Sequence, residues 1–119
     1  MHETGIALEI LHASTKVLAD HGGTRVVRVK VAVGELSAVE PELLAYAWEA
    51  AVAGSPAEGA KLEVEFVPAR QSCPNCGPVV REPGAWVPLC LSCGSPLSVE
   101  GGTELDLLQV EFETDGEGV

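Results

Sequence analysis

Residues 73–77 read CPNCG and residues 90–94 read CLSCG, and these two turns hold every cysteine of the chain. In each turn two residues separate the cysteines and a glycine follows the second one. Two C-x-x-C pairs can close a tetrahedral thiolate shell around one ion, a pattern typical of structural zinc sites. We therefore predict a structural zinc site formed by Cys73, Cys76, Cys90 and Cys93.

Three other chemistries use the same residue types. They are two local disulfides, a thioredoxin-type redox centre and a rubredoxin-type iron site that would carry electrons. A redox C-x-x-C is expected near a βαβ pattern and does not need a second pair, and close clustering without a secretion signal favours a metal over disulfides. Because four protein ligands leave no position for substrate, we expect no enzymatic chemistry at this site.

The segment around the cysteines, residues 69–99, has five of the eight prolines and no sustained periodicity. Such a segment cannot build a core of its own, so a metal is expected to organise it. Between the two cysteine pairs, residues 82–84 (Glu-Pro-Gly) predict the turn of a short hairpin.

Strand patterns flank this segment on both sides. Residues 61–67 alternate apolar and acidic side chains, and residues 103–112 return to strand composition after Gly101-Gly102. In the second of these stretches the apolar set changes phase between Leu107 and Leu108, which predicts a β-bulge or a strand buried on both faces. The cysteine segment is thus expected to be an insertion between two strands.

The first half of the chain predicts a helix, a strand and a second helix. Residues 4–21 form an amphipathic helical pattern that ends at Gly22-Gly23, and residues 25–33 alternate with period two. Pro41 suits the first turn of a helix that continues toward Gly54. The predicted apolar positions are Ile6, Ala7, Ile10, Leu11, Ala13, Val17 and Leu18 in the first helix, Val27, Val29, Val31 and Val33 in the strand, and Leu43, Leu44, Ala47, Trp48 and Ala51 in the second helix.

The composition limits the class of protein. The formal net charge is −11, which becomes about −13 with Zn(II) bound to four thiolates, and Arg81 is the only basic residue of residues 73–93. Such a surface repels phosphate backbones, so no nucleic-acid partner is expected. No apolar run is long enough to cross a bilayer and the first residues, MHETGIALEI, have no basic region or cleavage site. We expect a cytoplasmic protein without a membrane partner.

The start of the chain, Met1-His2-Glu3, is a second candidate metal site. An α-amino nitrogen, a backbone amide and an imidazole within one chelating turn suit Ni(II) or Cu(II). The alternative is that a histidine near a terminus has no role, and His12 and His21, on or at the end of the first helix, are assigned none. Glu40 precedes Pro41, where it suits a helix start or could supply an oxygen ligand or acceptor near His2.

Four stretches together resemble the HypA/HybF family of nickel chaperones. They are MHE at residues 1–3, VAVGELSAVEPELLAYAWE at 31–49, LEVEFVPARQSCPNCG at 62–77 and LCLSCGSPLSVEGGTELDLLQVEFE at 89–113. The resemblance implies an α+β fold of two helices against a three-stranded sheet, with a zinc-ribbon-like hairpin lobe inserted between the second and third strands. We expect a nickel-binding α+β domain of residues 1–68 plus 102–113 and a zinc-binding lobe of residues 69–101. Residues 114–119, acidic and glycine-rich, are expected to be a disordered tail.

The resemblance also implies the ligands and the function. Met1 would give its amino group, His2 its backbone nitrogen and imidazole, and Glu3 its amide or carboxylate to Ni(II), with Glu40 where some members have aspartate. Thr4 and Pro78 depart from the family pattern, and neither touches a matched ligand. No histidine flanks the cysteines, so the pH tuning of zinc found in some relatives is not predicted.

Taken with these sites, the resemblance implies a non-enzymatic metallochaperone that binds Ni(II) at its N-terminus and delivers it to the large subunit of a NiFe-hydrogenase. The resemblance implies two partners, a HypB-type nickel GTPase and the hydrogenase large-subunit precursor, and the chain is expected to be a monomer or a weak homodimer. The rival interpretation is a zinc-ribbon adaptor for other proteins that carries no nickel.

Overall fold

The computed structural model describes residues 2–115, so that Met1 and most of the expected tail lie outside the described residues. These described residues form two α-helices, one 3₁₀ turn and six strands. In chain order they are α1 (His2–Asp20), β1 (Arg25–Gly34), the 3₁₀ turn (Glu35–Ser37), α2 (Pro41–Val52), β2 (Lys61–Val67), β3 (Arg70–Cys73), β4 (Gly77–Val79), β5 (Ser98–Glu100) and β6 (Leu105–Glu113). No helix of residues 2–115 is both long enough and apolar enough to cross a membrane.

The main sheet has the strand order β2-β1-β6. Its central strand, β1, is parallel to β2 and antiparallel to β6. A parallel pair needs a crossover connection, and α2 supplies it between β1 and β2. The cysteine segment leaves the sheet after β2 and returns at β6, which confirms the predicted α+β fold and the place of the inserted lobe.

The core lies between the two helices and one face of this sheet. In α2 the buried residues are Leu44, Trp48 and Val52, at helical spacing, and the Trp48 indole Nε1 donates a hydrogen bond to the Ala60 carbonyl at 2.9 Å. Leu43, expected on the apolar stripe, is half exposed because it lies one position off the row that faces the sheet. In α1 the buried face is Ile6, Ala7, Ile10, Ser14 and Leu18.

The burial of β1 corrects one expectation. The alternation predicted Val27 on the buried face, but the register shifts between Val26 and Arg28, so that Val27 is an extra residue opposite β6. Val26 therefore joins Val29, Val31 and Val33 in the core and Val27 is only half-buried. A bulge moves every residue on one side of it to the other face of the sheet.

The predicted irregularity in β6 is a bulge. Lys30 pairs with Gln109 and Val31 with Leu107, which leaves Leu108 without a partner in β1. The phase change in the apolar pattern of β6 is thus the sequence signal of this bulge.

The lobe, residues 69–101, has a small sheet of its own in the order β4-β3-β5, which the sequence did not indicate. The predicted turn exists, since the Ala85 N–H bonds to the Glu82 carbonyl at 3.0 Å. The hairpin of the lobe lies at the first cysteine pair, where β4 pairs back onto β3, and no strand pairs across the turn at residues 82–84.

Candidate metal centres

The four cysteine sulfurs converge at one end of the lobe. Their Sγ atoms all lie within 4.8 Å of one another, and Cys73 and Cys93 are 3.5 Å apart. A tetrahedral ion with metal–sulfur bonds of about 2.3 Å needs sulfurs about 3.8 Å apart. The arrangement therefore fits one tetrahedral ion held by four thiolates.

Each cysteine pair is shaped by a turn that ends in glycine. Cys73 is the last residue of β3 and pairs with Gly77, the first residue of β4, which has a φ of 92°. In the second pair the Gly94 N–H returns to the Cys90 carbonyl at 2.8 Å, and Gly94 has a φ of 76°. Only glycine adopts such angles without steric cost, which explains why it follows both pairs.

Hydrogen bonds to the sulfurs set their protonation. The Ser95 hydroxyl and backbone N–H lower the pKa of Cys93 to about 6, and backbone N–H groups, chiefly that of Cys93, lower the pKa of Cys90. The sulfurs of Cys90, Cys93 and Cys73 raise the pKa of Cys76 to about 12. Four thiolates this close repel one another, so a bound cation would displace the remaining protons.

The lobe around the sulfurs contains polar residues that sequence reasoning did not single out. The Asn75 side-chain amide contacts the Ser95 hydroxyl at 3.2 Å and the Cys93 sulfur at 3.9 Å. The buried Gln71 amide exchanges two hydrogen bonds with the backbone of Val87, at 2.9 and 3.0 Å. Such contacts orient ligand-bearing loops, and polar residues in an aperiodic segment give no sequence signal for them.

The other candidate site lies at the start of α1. His2 is its first described residue, with a side chain 56% exposed, whereas the Glu3 side chain is 13% exposed. The Glu3 Oε2 atom accepts a hydrogen bond from the backbone N–H of Glu40 at 3.2 Å and lies 3.9 Å from the His2 Nδ1 atom. The Glu40 N–H is the main cause of a lowered pKa of Glu3.

Glu40 reaches this site through its backbone. Its carbonyl accepts the Leu44 N–H at 2.9 Å, which makes Glu40 the residue that precedes α2, but its exposed carboxylate makes no capping hydrogen bond. The structure thus brings the Glu40 amide, and not its carboxylate, into contact with Glu3.

The remaining histidines are not part of a ligand cluster. His12 is exposed on α1, and the His21 Nδ1 atom lies 2.9 Å from the Val17 carbonyl at the end of that helix. Within residues 2–115 the four cysteines are the only group of three or more potential ligand side chains that converge.

Comparison with known proteins identifies the family of the chain. A family model described as "Hydrogenase/urease nickel incorporation, metallochaperone, hypA" matches residues 1–112. The chain belongs to the HypA family. The hydrogenase maturation factor HypA of Deinococcus radiodurans is 42% identical over 109 residues, which cover 90% of this chain and 89% of that protein. HypA of Nitrosospira multiformis is 38% identical over 115 residues, which cover 96% of this chain and 99% of that protein.

A solved structure, the Ni metallochaperone HypA from Helicobacter pylori, shares the fold. It matches with a TM-score of 0.63 at 22% identity and covers 95% of this chain and 98% of its own. The family model and the two relatives confirm the predicted family, whose members are metallochaperones for nickel incorporation and hydrogenase maturation factors.

Proposed function

We propose that this protein binds Ni(II) through Met1, His2 and Glu3 and delivers it to the large-subunit precursor of a NiFe-hydrogenase. The observation that carries the proposal is the contact between the Glu3 carboxylate and the Glu40 N–H at 3.2 Å. This contact ties the start of α1 to the segment before α2, so that His2 is presented from an anchored position.

Nitrogen donors are available at this end of the molecule. The first N–H groups of a helix have no acceptor within it, and His2 opens α1 with an exposed imidazole. In the proposal the Met1 amino group, the His2 backbone nitrogen and the imidazole form a nitrogen set of the kind that Ni(II) prefers. Glu3 completes the site with its amide or carboxylate, and Glu40 supports it.

A carrier must release its metal as well as bind it. A short set of exchangeable ligands on an exposed helix end can be displaced one at a time by a recipient. Protons compete with the metal for the amine and the imidazole, so binding is expected to weaken in acid. Both properties suit a metallochaperone better than a permanent metal site.

We propose that the cysteine cluster holds Zn(II) and that this metal is structural. Cys73 and Cys90 are buried and Cys76 and Cys93 exposed, and four thiolates saturate a tetrahedral ion. An iron-thiolate centre would use the same sulfurs, but it would colour the protein and take up one electron. Colourless protein with one zinc per chain is the expected result.

The lobe offers a surface for partners. Val80 is 99% exposed and Leu91 is 92% exposed, so the lobe presents apolar side chains that a partner would cover on binding. We propose that a HypB-type nickel GTPase and the hydrogenase large-subunit precursor are the partners, and that the chain acts in the cytoplasm as a monomer or weak homodimer.

A transfer assay tests the proposal. Nickel-loaded protein is mixed with apo large-subunit precursor in the presence of a chelator that removes free Ni(II), and nickel on the re-isolated precursor is measured. The wild-type protein and the His12→Ala control are expected to transfer nickel, and the His2→Ala variant is not. A protein that binds the precursor and zinc but transfers no nickel would instead be the zinc-ribbon adaptor.

A further inference from the structure

A buried ion pair joins the lobe to the helix–sheet domain. The Arg81 guanidinium donates to both oxygens of the Glu35 carboxylate, from Nη1 to Oε1 at 2.9 Å and from Nη2 to Oε2 at 2.6 Å. The Arg81 and Glu35 side chains are 4% and 9% exposed, whereas every other ion pair between residues 2 and 114 has a partner more than one-third exposed. Two parallel hydrogen bonds fix orientation as well as distance.

The Glu35 carboxylate is hydrogen-bonded to three segments of the lobe. Besides Arg81 it accepts the N–H of Ala69 at 3.0 Å, where the lobe begins, and the N–H of Gly84 at 2.6 Å, in the turn. The guanidinium in turn donates to the Ala69 carbonyl at 2.7 Å and lies 4.0 Å from the centre of the Trp86 ring. An exposed ion pair usually makes a single contact and adds little stability. Here several hydrogen bonds from the lobe meet at one residue of the helix–sheet domain, Glu35.

Glu35 also begins the short connector, residues 35–40, that ends at the N-terminal site. The Leu36 N–H bonds to the Gly102 carbonyl at 2.5 Å, where the lobe rejoins the sheet. Ala38 has a left-handed φ of 62° and the next residue, Val39, is 8% exposed. A non-glycine residue keeps such an angle only where its surroundings hold it. The connector ends at Glu40, whose N–H bonds to Glu3.

We propose that Glu35 is a positioning residue that acts at both ends of this connector. It holds the lobe in one orientation on the domain and, through residues 36–39, holds the Glu40 N–H at the Glu3 carboxylate. These two structural roles of Glu35 do not depend on nickel. An effect of Glu35 on nickel binding, in contrast, rests on the proposed function.

The test is the Glu35→Gln variant of the zinc-loaded full chain, which keeps the side-chain shape and removes its charge. Glu65→Gln is the matched control, since it changes an exposed ion pair with Lys30 on the sheet, 3.5 Å apart. Amide hydrogen exchange is measured at Glu40 and at a core strand residue such as Val29. Residual dipolar couplings report the orientation of the lobe relative to the domain.

In Glu35→Gln we expect Glu40 to exchange about tenfold faster, the scale of losing one local hydrogen bond, while Val29 exchange and zinc content stay unchanged. The couplings of the lobe and the domain should then require two alignment tensors, where wild-type and control protein need one. Unchanged Glu40 exchange with a single tensor would overturn the proposal. If Glu35→Gln does not fold, Arg81→Lys, which keeps the charge but not the paired hydrogen bonds, is held to the same two criteria.

A nickel titration separates this proposal from the proposed function. If wild-type protein binds no Ni(II), the proposed function fails, and the exchange and orientation measurements still test the role of Glu35. If wild-type protein binds Ni(II), Glu35→Gln is expected to bind it more weakly than the wild type, and Glu65→Gln as tightly as the wild type. Equal nickel affinity of the two variants would show that Glu35 does not influence nickel binding.

Discussion

The backbone N–H of Glu40 donates a hydrogen bond to the Glu3 carboxylate at 3.2 Å. The two residues are 37 positions apart in sequence, yet their contact joins the start of the first helix to the start of the second. Because the donor is a backbone group, Glu40 holds this contact whatever its side chain does.

This relationship makes Glu40→Ala an informative variant. We expect its nickel affinity and visible absorption spectrum to match those of the wild type, since the alanine variant keeps the N–H that contacts Glu3. Glu3→Ala is the comparison and is expected to bind nickel more weakly. A weaker affinity or a shifted spectrum in Glu40→Ala would show that the Glu40 carboxylate is itself a ligand.

The zinc assignment predicts the behaviour of Cys90→Ser. Cys90 is buried, and the free energy of metal binding in such a lobe is also folding free energy. The variant should lose zinc, and the amide protection of residues 69–101 should fall while that of the main sheet persists. Ser92→Ala, in the same turn, should keep its zinc. Full zinc occupancy and unchanged thermal stability in Cys90→Ser would contradict a structural role.

Neighbouring leucines test the core. Leu44 is fully buried and Leu43 is half exposed, although both were predicted on the apolar stripe of α2. Leu44→Ala should lower the free energy of unfolding by about 2–5 kcal/mol, the cost of a buried cavity, and Leu43→Ala by less than about 1 kcal/mol. Denaturant unfolding of the zinc-loaded variants, followed by circular dichroism, measures both. Equal losses would mean that the helix faces the sheet differently.

The ion pair between the lobe and the domain predicts a pH dependence. Hydrogen bonding from Arg81 is the main reason that the pKa of Glu35 falls from an ordinary 4.5 to about 2. A lowered folded-state pKa stabilises the protein fully above the unfolded value, and this contribution is lost as pH falls toward the folded value. The stability that Glu35 adds should therefore persist at neutral pH and decline between pH 4.5 and 2.

The measurement is the carboxyl carbon shift of Glu35 in labelled, zinc-loaded protein. Between pH 7 and 4 we expect no protonation in the wild type and a higher midpoint in Arg81→Gln, which lacks the guanidinium. A wild-type midpoint near 4.5 would show that the pair does not form in solution.

Local patterns in the sequence predicted much of the fold, and the failures have physical reasons. The bulge at Leu108 was visible in the sequence because apolar residues alternate with polar ones on both sides of it, at Leu105 and Leu107 before it and at Val110 and Phe112 after it, with the alternation out of phase between the two sets. The bulge at Val27 is not visible in the sequence, because residues 26 and 27 are both valine and either one suits the buried face. Leu43 and Leu44 are also identical neighbours, so the sequence predicted both on the apolar stripe. Only the packing of α2 shows that Leu44 is buried and Leu43 half exposed.

The same distinction holds for the sites: local patterns predict one of them, and the others depend on how distant segments meet in the fold. The cysteine cluster could be predicted, since its spacing encodes the geometry of one ion. The Glu35–Arg81 pair spans 46 residues and depends on how the lobe meets the domain, which no local pattern records. The contact of Glu3 with Glu40 could be found only in the fold. The sequence placed Glu40 near His2 and indicated neither Glu3 as its partner nor the backbone N–H as the donor.

The most direct test of the central claim is calorimetric titration of Ni(II) into untagged, zinc-loaded protein. The comparison includes His2→Ala, His12→Ala as the control for an exposed histidine on the same helix, and a version with residues added before Met1. We predict tight binding by the wild type and His12→Ala, and strongly weakened binding by His2→Ala and the extended version. Equal nickel binding by all four proteins would contradict a nickel site at Met1, His2 and Glu3.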